Sequence, residues 1–504
     1  RLQAFAGISA SRKVYNDLKA DGQRFASNDL GFNGLFGAAD PENRHINNSY
    51  SAGSLLSYVA RANYSYAYRY FITVTGRWDG SSKFAKGHQW GFFPSFSLAW
   101  DITNEPFFPR LDQVNQIKLR GGYGIVGNQD IGDFMYATLY RPQYNNGVPS
   151  YGTDGRRGTP GITWEKQKQG NSGIDLSFFN NRLNIAADAF FITNSNLLMS
   201  HNLANSTGYT TTTENIGELS NKGFELSINA TPVVTRDFTW NVSANLGLDR
   251  NKVKKLYGGV ERILSGTNRT GNIFVGQSLS NIYTLKSGGI ANEWNRDEWE
   301  GLDYSGRTVG LGDLFVRDLG SADGTGPDGV VDIMNDRYIY GNTDPKFYGG
   351  FATDLNWKGL SLNAVFNYSV GGHVISSYYE SLVSSTGESN ASVDLLDSWT
   401  PENTGAFFPR RMRNASGYSA YGAGDTDRYI QDSSFLRLST LTLSYNFPRK
   451  MLSKARLNNL RLYFTASNVF TVTKYKGYDP EFGDGNGYFP TEHTYAIGLS
   501  FSLF

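Results

Sequence analysis

From Tyr495 to Leu503 the chain alternates without a break. Tyr495, Ile497, Leu499, Phe501 and Leu503 hold one parity, Ala496, Gly498, Ser500 and Ser502 hold the other, and Phe504 follows. A period of two with one apolar side is a strand whose two faces meet different media. The pattern recurs along the chain. Leu56, Tyr58, Ala60, Ala62 and Tyr64 share a parity, with only Val59 out of phase. Tyr70, Ile72 and Val74 repeat it, as do Leu183, Ile185, Ala187, Ala189 and Phe191, and Phe224, Leu226 and Ile228. Trp240, Val242, Ala244, Leu246 and Leu248 follow, then Leu362, Ala364, Phe366, Tyr368 and Val370, then Leu462, Phe464, Ala466, Phe470 and Val472. Roughly fourteen such segments can be marked out by period.

The second parity carries Asn, Ser, Thr, Arg and Glu. Lipid rejects these groups, whereas a water-filled or plugged interior accepts them. A soluble β-sandwich or propeller also alternates. Two features favour an all-β, transmembrane antiparallel β-barrel: the segments run about ten residues, long for a soluble sheet, and Tyr and Trp sit near their ends, where a membrane interface would lie. Composition agrees. Tyr and Phe number 31 and 33 of 504 residues, yet hydrophobic residues total only 39%. No run approaches the ~18 apolar residues of a spanning helix, and in a barrel only every second residue needs to face lipid.

Several function classes fall away. Cysteine is absent, which excludes disulfides, thiolate metal sites and a cysteine nucleophile. Basic and acidic residues balance at 47 to 46, so no net field points to nucleic acid. His45, His88, His201, His373 and His493 are scattered, without metal-ligand spacing. Gly121-Gly122-Tyr123-Gly124 has no following helix pattern or Lys-Ser/Thr, so it reads as strand, not as a phosphate loop. No catalytic constellation emerges, and an enzyme is not expected.

The connections come in two lengths. Tyr66–Arg69 and Phe179–Arg182 read as tight turns, whereas 17–48, 145–161, 251–344 and 378–432 are long and rich in Gly, Asn, Asp and Ser. Outer-membrane barrels show this asymmetry, with short periplasmic turns and long extracellular loops. The stretch 251–344 is too long to lie idle and is expected to fold on itself. A short helix is expected over Val393–Trp399. Loop aromatics Tyr151, Trp294, Trp299, Tyr379 and Tyr418 are candidates for stacking on a sugar ring or a peptide, although loop aromatics also pack loops together. No secretory leader precedes Arg1, and Leu2–Tyr15 already reads as strand, so the natural N-terminus is expected upstream.

Acidic residues crowd one part of the longest connection. Asp318, Asp323, Asp328, Asp332 and Asp336 are interspersed with Gly324 and Gly329. Clustered carboxylates beside a turn-forming glycine suit Ca²⁺, which takes six to eight oxygens. A solvated turn held by Asx hydrogen bonds uses the same residues. Asp318, Asp328, Asp332 and Asp336 are the candidate ligands; no other cofactor is called for.

Longer strings carry a resemblance. Arg77–Phe84 (RWDGSSKF), Phe93–Phe108 (FPSFSLAWDITNEPFF) and Leu119–Ile131 (LRGGYGIVGNQDI) are followed in order by Ser398–Arg410 (SWTPENTGAFFPR), Ser433–Pro448 (SSFLRLSTLTLSYNFP) and Leu460–Glu481 (LRLYFTASNVFTVTKYKGYDPE). Together they resemble the C-terminal half of a SusC/RagA-type TonB-dependent outer-membrane transporter of the Bacteroidota, and they span most of the chain, 1–504. The resemblance implies part of a 22-stranded barrel enclosing an N-terminal plug. It also implies a TonB-interacting segment ahead of the plug, and neither is in this sequence, so a fragment is expected. It further implies import of oligosaccharides or peptides across the outer membrane, with a SusD-like surface lipoprotein as lid. Relatives often carry an Asp-x-Asn-Gly-Asp-Gly-x-Ile-like loop where the acidic cluster lies. Here 321–327 is expanded and Asp336 falls one place late. A structural or adhesive outer-membrane barrel without transport is the other reading. Tyr495, Ile497, Leu499, Phe501 and Phe504 are expected to mark the barrel-closing strand.

Overall fold

In the computed structural model, residues 1–503 are described apart from 26, 28, 30–33, 35–43, 146, 322–323, 385–389, 412–420, 453–456 and 482–490. Fourteen strands form one sheet whose order follows the chain. They are β1 (Leu2–Gly22), β2 (Arg44–Tyr66), β3 (Tyr70–Ser81), β4 (Trp90–Asp101), β5 (Val114–Asn128), β6 (Glu165–Phe178) and β7 (Leu183–Ser195). Then come β8 (Glu218–Val234), β9 (Phe238–Lys255), β10 (Phe347–Trp357), β11 (Leu360–Val370), β12 (Phe435–Asn446), β13 (Leu457–Thr473) and β14 (Thr494–Leu503). The expected strand count and the tight turns are both found. Contacts divide the chain into two compact units: 1–104 with 120–171 and 192–219, and 105–119 with 172–191 and 220–504.

In the first unit, β1 to β4 pair as antiparallel neighbours. One face carries Ile8, Tyr58, Trp78 and Phe92 in register, and the opposite face carries Ser9, Ser57, Asp79 and Gly91. Val59, out of phase in the sequence, pairs with Gly7 and Arg77 and so belongs to the polar face. A small core sits there: Phe84, Phe93, Ile162 and Trp164 are buried together. Phe93 can lie across the sheet because Gly127 has no side chain, since a Cβ there would come within 2.0 Å of its ring. The turn after β2 places Ala67 and Tyr68 at φ 50° and 55°, the left-handed geometry that a tight hairpin turn requires.

The β1–β2 ribbon is longer than the sequence suggested. Pairing continues through Asp17↔Ser49 and Lys19↔Asn47 to Gly22↔Arg44. The connection read as 17–48 therefore spans only 23–43. On β2 polar residues occupy both parities over 44–49, so the period that marks a lipid-facing strand is lost on that side although the ladder continues.

In the second unit, β9 to β14 form a continuous ladder. Trp240, Leu355, Leu362, Leu443, Phe464 and Ile497 lie in one row on the apolar face; Asn241, Asp354, Asn363, Thr442 and Thr465 lie in one row on the other. Polar neighbours bond along that second face: Asn363 Nδ2 donates to Asp354 Oδ1 at 2.9 Å, and the Thr442 and Thr465 hydroxyls lie 3.1 Å apart. Irregularities between Leu438 and Thr440 shift the register on both sides of β12. Leu438 and Leu436 consequently stay beside Phe366 and Tyr368, on the apolar face; this is the re-aiming that a bulge supplies.

Connections in this unit alternate in kind. Residues 235–237, 358–359 and 447–456 join strands at one end of the ladder, while 256–346, 371–434 and 474–493 join them at the other. The longest of these folds on itself as expected. Short pairs such as Asn281–Leu285 with Arg337–Asn342, and Ser287–Ile290 with Leu314–Val316, brace it. The expected short helix is a 3-10 helix at Val393–Asp397. Helix α1 (Ser377–Val383) starts at Ser376, whose side chain accepts from the Tyr379 N–H.

Candidate functional site

Two kinds of surface could carry function: the apolar face of the sheet, and the platform built by the long connections of the second unit. On the first unit's apolar face, aromatic rings gather in two rows. Tyr58 stacks on Trp90 at 6.0 Å between centroids, and Trp78 meets Trp90 edge-on at 5.4 Å. Trp90 lies flat because Gly80 is bare; a Cβ there would approach the indole to 2.8 Å. The other row is Tyr66, Tyr70 and Trp100, stacked in succession at 6.5 Å and 6.5 Å. On β3 these rows are set by Tyr70 and Trp78, at opposite ends of the strand. Aromatic rows flanking an apolar band are what two membrane interfaces select.

The last described strand shows the same exposure. Tyr495, Ile497, Leu499, Phe501 and Leu503 are 63%, 79%, 58%, 57% and 68% exposed, on the face that β13 shares through Leu462 and Phe464. β14 pairs with β13, and Phe504 lies outside the described residues. Trp240, Val242, Leu246, Leu462 and Phe464 hold the apolar face of the second unit, and Asn241, Asn245, Tyr463 and Ser467 hold the polar one.

The platform has an ordinary water-soluble core. Leu285, Leu314, Phe315, Val316 and Val331 are buried with Tyr379, Val383, Leu395, Phe408 and Tyr429, so the connections 256–346 and 371–434 close on each other. Trp299 Nε1 donates to Asn292 O at 3.1 Å, Tyr304 Oη donates to Trp299 O at 2.9 Å, and Trp399 Nε1 donates to Asn292 Oδ1 at 2.6 Å.

Ion pairs tie this core together. Arg269 and Glu380 form a bidentate pair at 2.7 and 2.5 Å, with side chains 13% and 8% exposed. Burial raises the Glu380 carboxyl above the ordinary range, although Arg269 acts to lower it. Arg410 grips Asp313 through two bonds of 2.8 and 3.0 Å. Among the described residues, buried Arg337 finds no carboxylate in its hydrogen bonds. It donates to backbone carbonyls of Gly266, Asn268 and Tyr283 and lies 4.4 Å over the Tyr283 ring.

A strap from the connection 474–493 fastens the platform to the sheet. Tyr478 stacks on Tyr378 at 4.4 Å, and Lys476 Nζ donates to Asp394 Oδ2 at 2.7 Å. Asp394 also accepts the Tyr379 hydroxyl at 2.5 Å. The bonds from Lys476 and Tyr379 hold its carboxyl below the usual range. Further along, Arg437 on β12 donates to Asp479 at 2.6 Å and to Glu481 at 2.8 Å. Asp479 is pushed up by burial, but bonds from Thr491, the Glu481 N–H and Arg437 outweigh that and leave it lowered. The sequence carried a faint signal for this strap: Arg437 interrupts an apolar run on the polar parity, and Asp479-Pro480-Glu481 packs two acids beside a turn-former. Their pairing is long-range and has no periodic mark.

The candidate stacking aromatics separate. Tyr151, on the hairpin Tyr140–Asn145/Val148–Thr153, is 77% exposed, and Trp294 is 72% exposed. Trp299 and Tyr379 are both 6% exposed, their rings taken up by the platform core. This corrects their place among rings open to a ligand, for packing covers both faces. Tyr418 lies outside the described residues.

The acidic stretch forms a set of turns. Asp336 is fully buried and accepts three backbone N–H groups, from Leu319, Gly320 and Asp332; burial nonetheless raises its carboxyl. Asp332 accepts from Met334 and Asn335, and Asp328 from Val330. Asp318 Oδ2 accepts from Gly329 at 2.6 Å, whereas Asp318 Oδ1 is buried with no hydrogen-bond partner among the described residues. Among the described residues, no three Asp, Glu or His side chains converge as a metal cage.

A family model described as "TonB dependent receptor-like, beta-barrel" matches residues 3–343. TonB-dependent receptor P3 of Formosa agariphila is 31% identical over 522 residues, covering 97% of this chain and 49% of that protein. TonB-dependent receptor SusC of Bacteroides thetaiotaomicron is 32% identical over 468 residues, covering 89% of this chain and 43% of that protein. The chain thus spans about half the length of the curated relatives it matches. A solved structure of the RagAB peptide transporter superposes with a TM-score of 0.82 at 26% identity, over 99% of this chain and 53% of that one.

Proposed function

Since this chain belongs to the TonB-dependent receptor β-barrel family of the bacterial outer membrane, we propose that it is the barrel portion of an importer for oligosaccharides or peptides. The plug and the TonB-interacting segment of such an importer would lie outside 1–504, and a SusD-like lipoprotein would close its extracellular mouth. The observation that carries this reading is the pairing of an apolar, aromatic-bordered sheet face with a large ordered platform at one end of the second unit's strands. A passive pore needs only the wall. A platform with its own hydrophobic core and bidentate ion pairs is a rigid surface on which another protein can sit.

In such a machine the chain holds a lipid-facing wall, a polar inner wall and a mouth. Work enters through TonB, so no nucleotide site is needed in this chain and catalysis has no part to play. The acidic turn fits a cation only in a limited way: Asp318 Oδ1 is the open donor, and Ca²⁺ would draw its other oxygens from backbone carbonyls and water. Calcium-dependent protection of residues 318–336 against hydrogen exchange tests that role.

Uptake in cells with and without TonB is the decisive measurement for the main reading. Import should vanish without TonB, and the full-length protein should leave the membrane in mild detergent with a lipoprotein attached, burying more than ~2,000 Å² in a persistent complex. Uptake that ignores TonB, or purification of the protein alone at low salt, would leave a structural or adhesive barrel instead.

A further inference from the structure

On the apolar side of β8 and β9, the side chains that follow the last apolar residues are cations. On β9 the row Trp240, Val242, Ala244, Leu246 and Leu248 continues on the same parity as Arg250, Lys252 and Lys254. All three are exposed, whereas Asn251 between them is half-buried and Val253 is buried. On β8 the row Ile228, Leu226 and Phe224 continues as exposed Lys222. The two strands are neighbours in the sheet. Ser220 Oγ donates to Lys252 O at 3.4 Å, and Thr231 Oγ1 donates to Asn241 Oδ1 at 2.9 Å. Both bonds fit one register, which puts Lys222 opposite Arg250.

These cations are held in place. The end of β9 is clasped by its own connection: Val253 N–H donates to Gln277 O, and Gly276 N–H donates to Val253 O, each at 2.8 Å. Arg250 Nη1 donates to Asp249 O at 2.7 Å and to Pro345 O at 3.1 Å, and its Nη2 donates to Lys346 O at 2.9 Å. A guanidinium has five N–H donors, so the Nε–H and one N–H of Nη2 remain to be used. Among the described residues, no carboxylate pairs with Lys222, Arg250, Lys252 or Lys254. The acids nearby are turned elsewhere. Asp249 is on the polar parity, and Asp344 accepts from Asn251 and Ser278.

Depth decides what such cations meet. This end of β9 leads into the long connection 256–346, on the extracellular side of an outer-membrane barrel. Arg250 and Lys252 lie two and four positions past Leu248, ~7 and ~14 Å along an extended strand at ~3.4 Å per residue. With a tilt of about 40° they stand roughly 5 and 10 Å above the apolar row. The polar layer of a bilayer is roughly 5–8 Å deep on each side, and lysine stems can carry their charge several ångströms further. Arg250, Lys222 and Lys252 therefore sit at headgroup level, facing lipid.

We propose that Lys222, Arg250 and Lys252 form a docking surface for the phosphate of an outer-leaflet lipid. Its acyl chains would lie against Phe224, Leu246 and Leu248. The charges are complementary, because a phosphate accepts from the two remaining Arg250 donors while the flanking ammonium groups neutralise it. The surface is also continuous with the lipid-facing wall, so the phosphate is reached without leaving the membrane. This inference needs the outer-membrane barrel and is independent of import.

The test uses the full-length transporter with its lipoprotein in mild detergent. Probes are monophosphoryl lipid A and the same lipid with its phosphate removed, titrated and read by native mass spectrometry. The parent should bind the phosphorylated lipid at least tenfold more tightly. K222Q/K252Q should weaken that binding about thirtyfold, as expected for two near-surface cations, and leave the dephosphorylated lipid unchanged. K222R/K252R should stay within about threefold of the parent. If K222Q/K252Q fails to insert, K252Q alone decides, with an expected loss of about fivefold. Equal binding of the two lipids by the parent, or unchanged affinity for the phosphorylated lipid in the glutamine variants, would overturn the docking surface. So would loss of the lipoprotein from K222Q/K252Q with lipid binding intact, which would assign the cations to a protein partner.

Discussion

On the sheet, Ile497, Leu499 and Phe501 are 79%, 58% and 57% exposed, whereas Leu314, Phe315 and Val316 in the connection 256–346 expose nothing. The same residue types thus face opposite surroundings within one unit. In water an apolar face as broad as that of β9 to β14 would be an association hazard. In lipid it is solvated, and the backbone groups behind it are satisfied by the ladder. The platform has no lipid to use, so it builds a conventional core and satisfies its buried polar groups one at a time. The wall is therefore stabilised by its medium, and the platform by its contacts. Perturbations of the two should separate experimentally.

The largest effect is expected from the end of the wall. Deleting Phe501–Phe504 removes apolar positions of β14 and should abolish outer-membrane insertion of the full-length protein, while loss of Phe504 alone should matter less. Normal membrane levels of the four-residue truncation would break the claim that the wall depends on this stripe.

Next, Glu380→Ala leaves Arg269 buried without its partner and should cost the platform about 3–5 kcal/mol. Limited proteolysis should then cut within 256–346 or 371–434, while the barrel keeps its resistance to unfolding in cold detergent. If insertion fails as well, wall and platform are not separable in the way argued above.

A third test compares neighbours on one strand. Val242→Arg on the apolar face should cost ~2–4 kcal/mol near mid-bilayer, and Asn241→Arg on the polar face far less. Equal destabilisation of the two, read by denaturant titration in lipid, would mean that the two faces of β9 are wrongly assigned.

The smallest effect is one of pH. Asp394 and Asp479 are both held below the ordinary carboxylate range by their partners. A carboxylate with a depressed folded value stabilises above its unfolded value, about 3.9 for Asp, and that contribution is lost as pH falls through the folded value. The strap should therefore be intact at neutral pH and loosen only below about pH 4. Hydrogen exchange at the Lys476 and Glu481 amides reports it; loosening that begins near pH 6 would assign control to another group.

The wall was legible in the sequence because each residue there obeys a local rule. Even the exception, Val59, could be seen as a break in phase, and it proves to lie on the polar face. The ends of β1 and β2 were not legible, because residues 17–22 still alternate but their partners 44–49 carry polar residues on both parities, and nothing local marks the pairing. The platform was the least legible part. Trp299 and Tyr379 looked like free loop aromatics, since nothing local distinguishes a ring that packs from a ring that waits. Arg269 meets Glu380 across 111 positions of sequence, and no period or spacing marks such a pair. The acidic stretch was visible as composition, but the way Asp336 gathers three amides depends on the turn it creates.

The two aromatic rows also amount to a ruler. Tyr70 and Trp78 are eight positions apart on β3, about 27 Å along an extended strand at ~3.4 Å per residue. A strand tilted by about 40° would span roughly 21 Å of bilayer between them. This chain is cut for a thin membrane, as bacterial outer membranes are. In vesicles of long-chain lipids the mismatch would have to be absorbed by local thinning, because a hydrogen-bonded ladder cannot stretch.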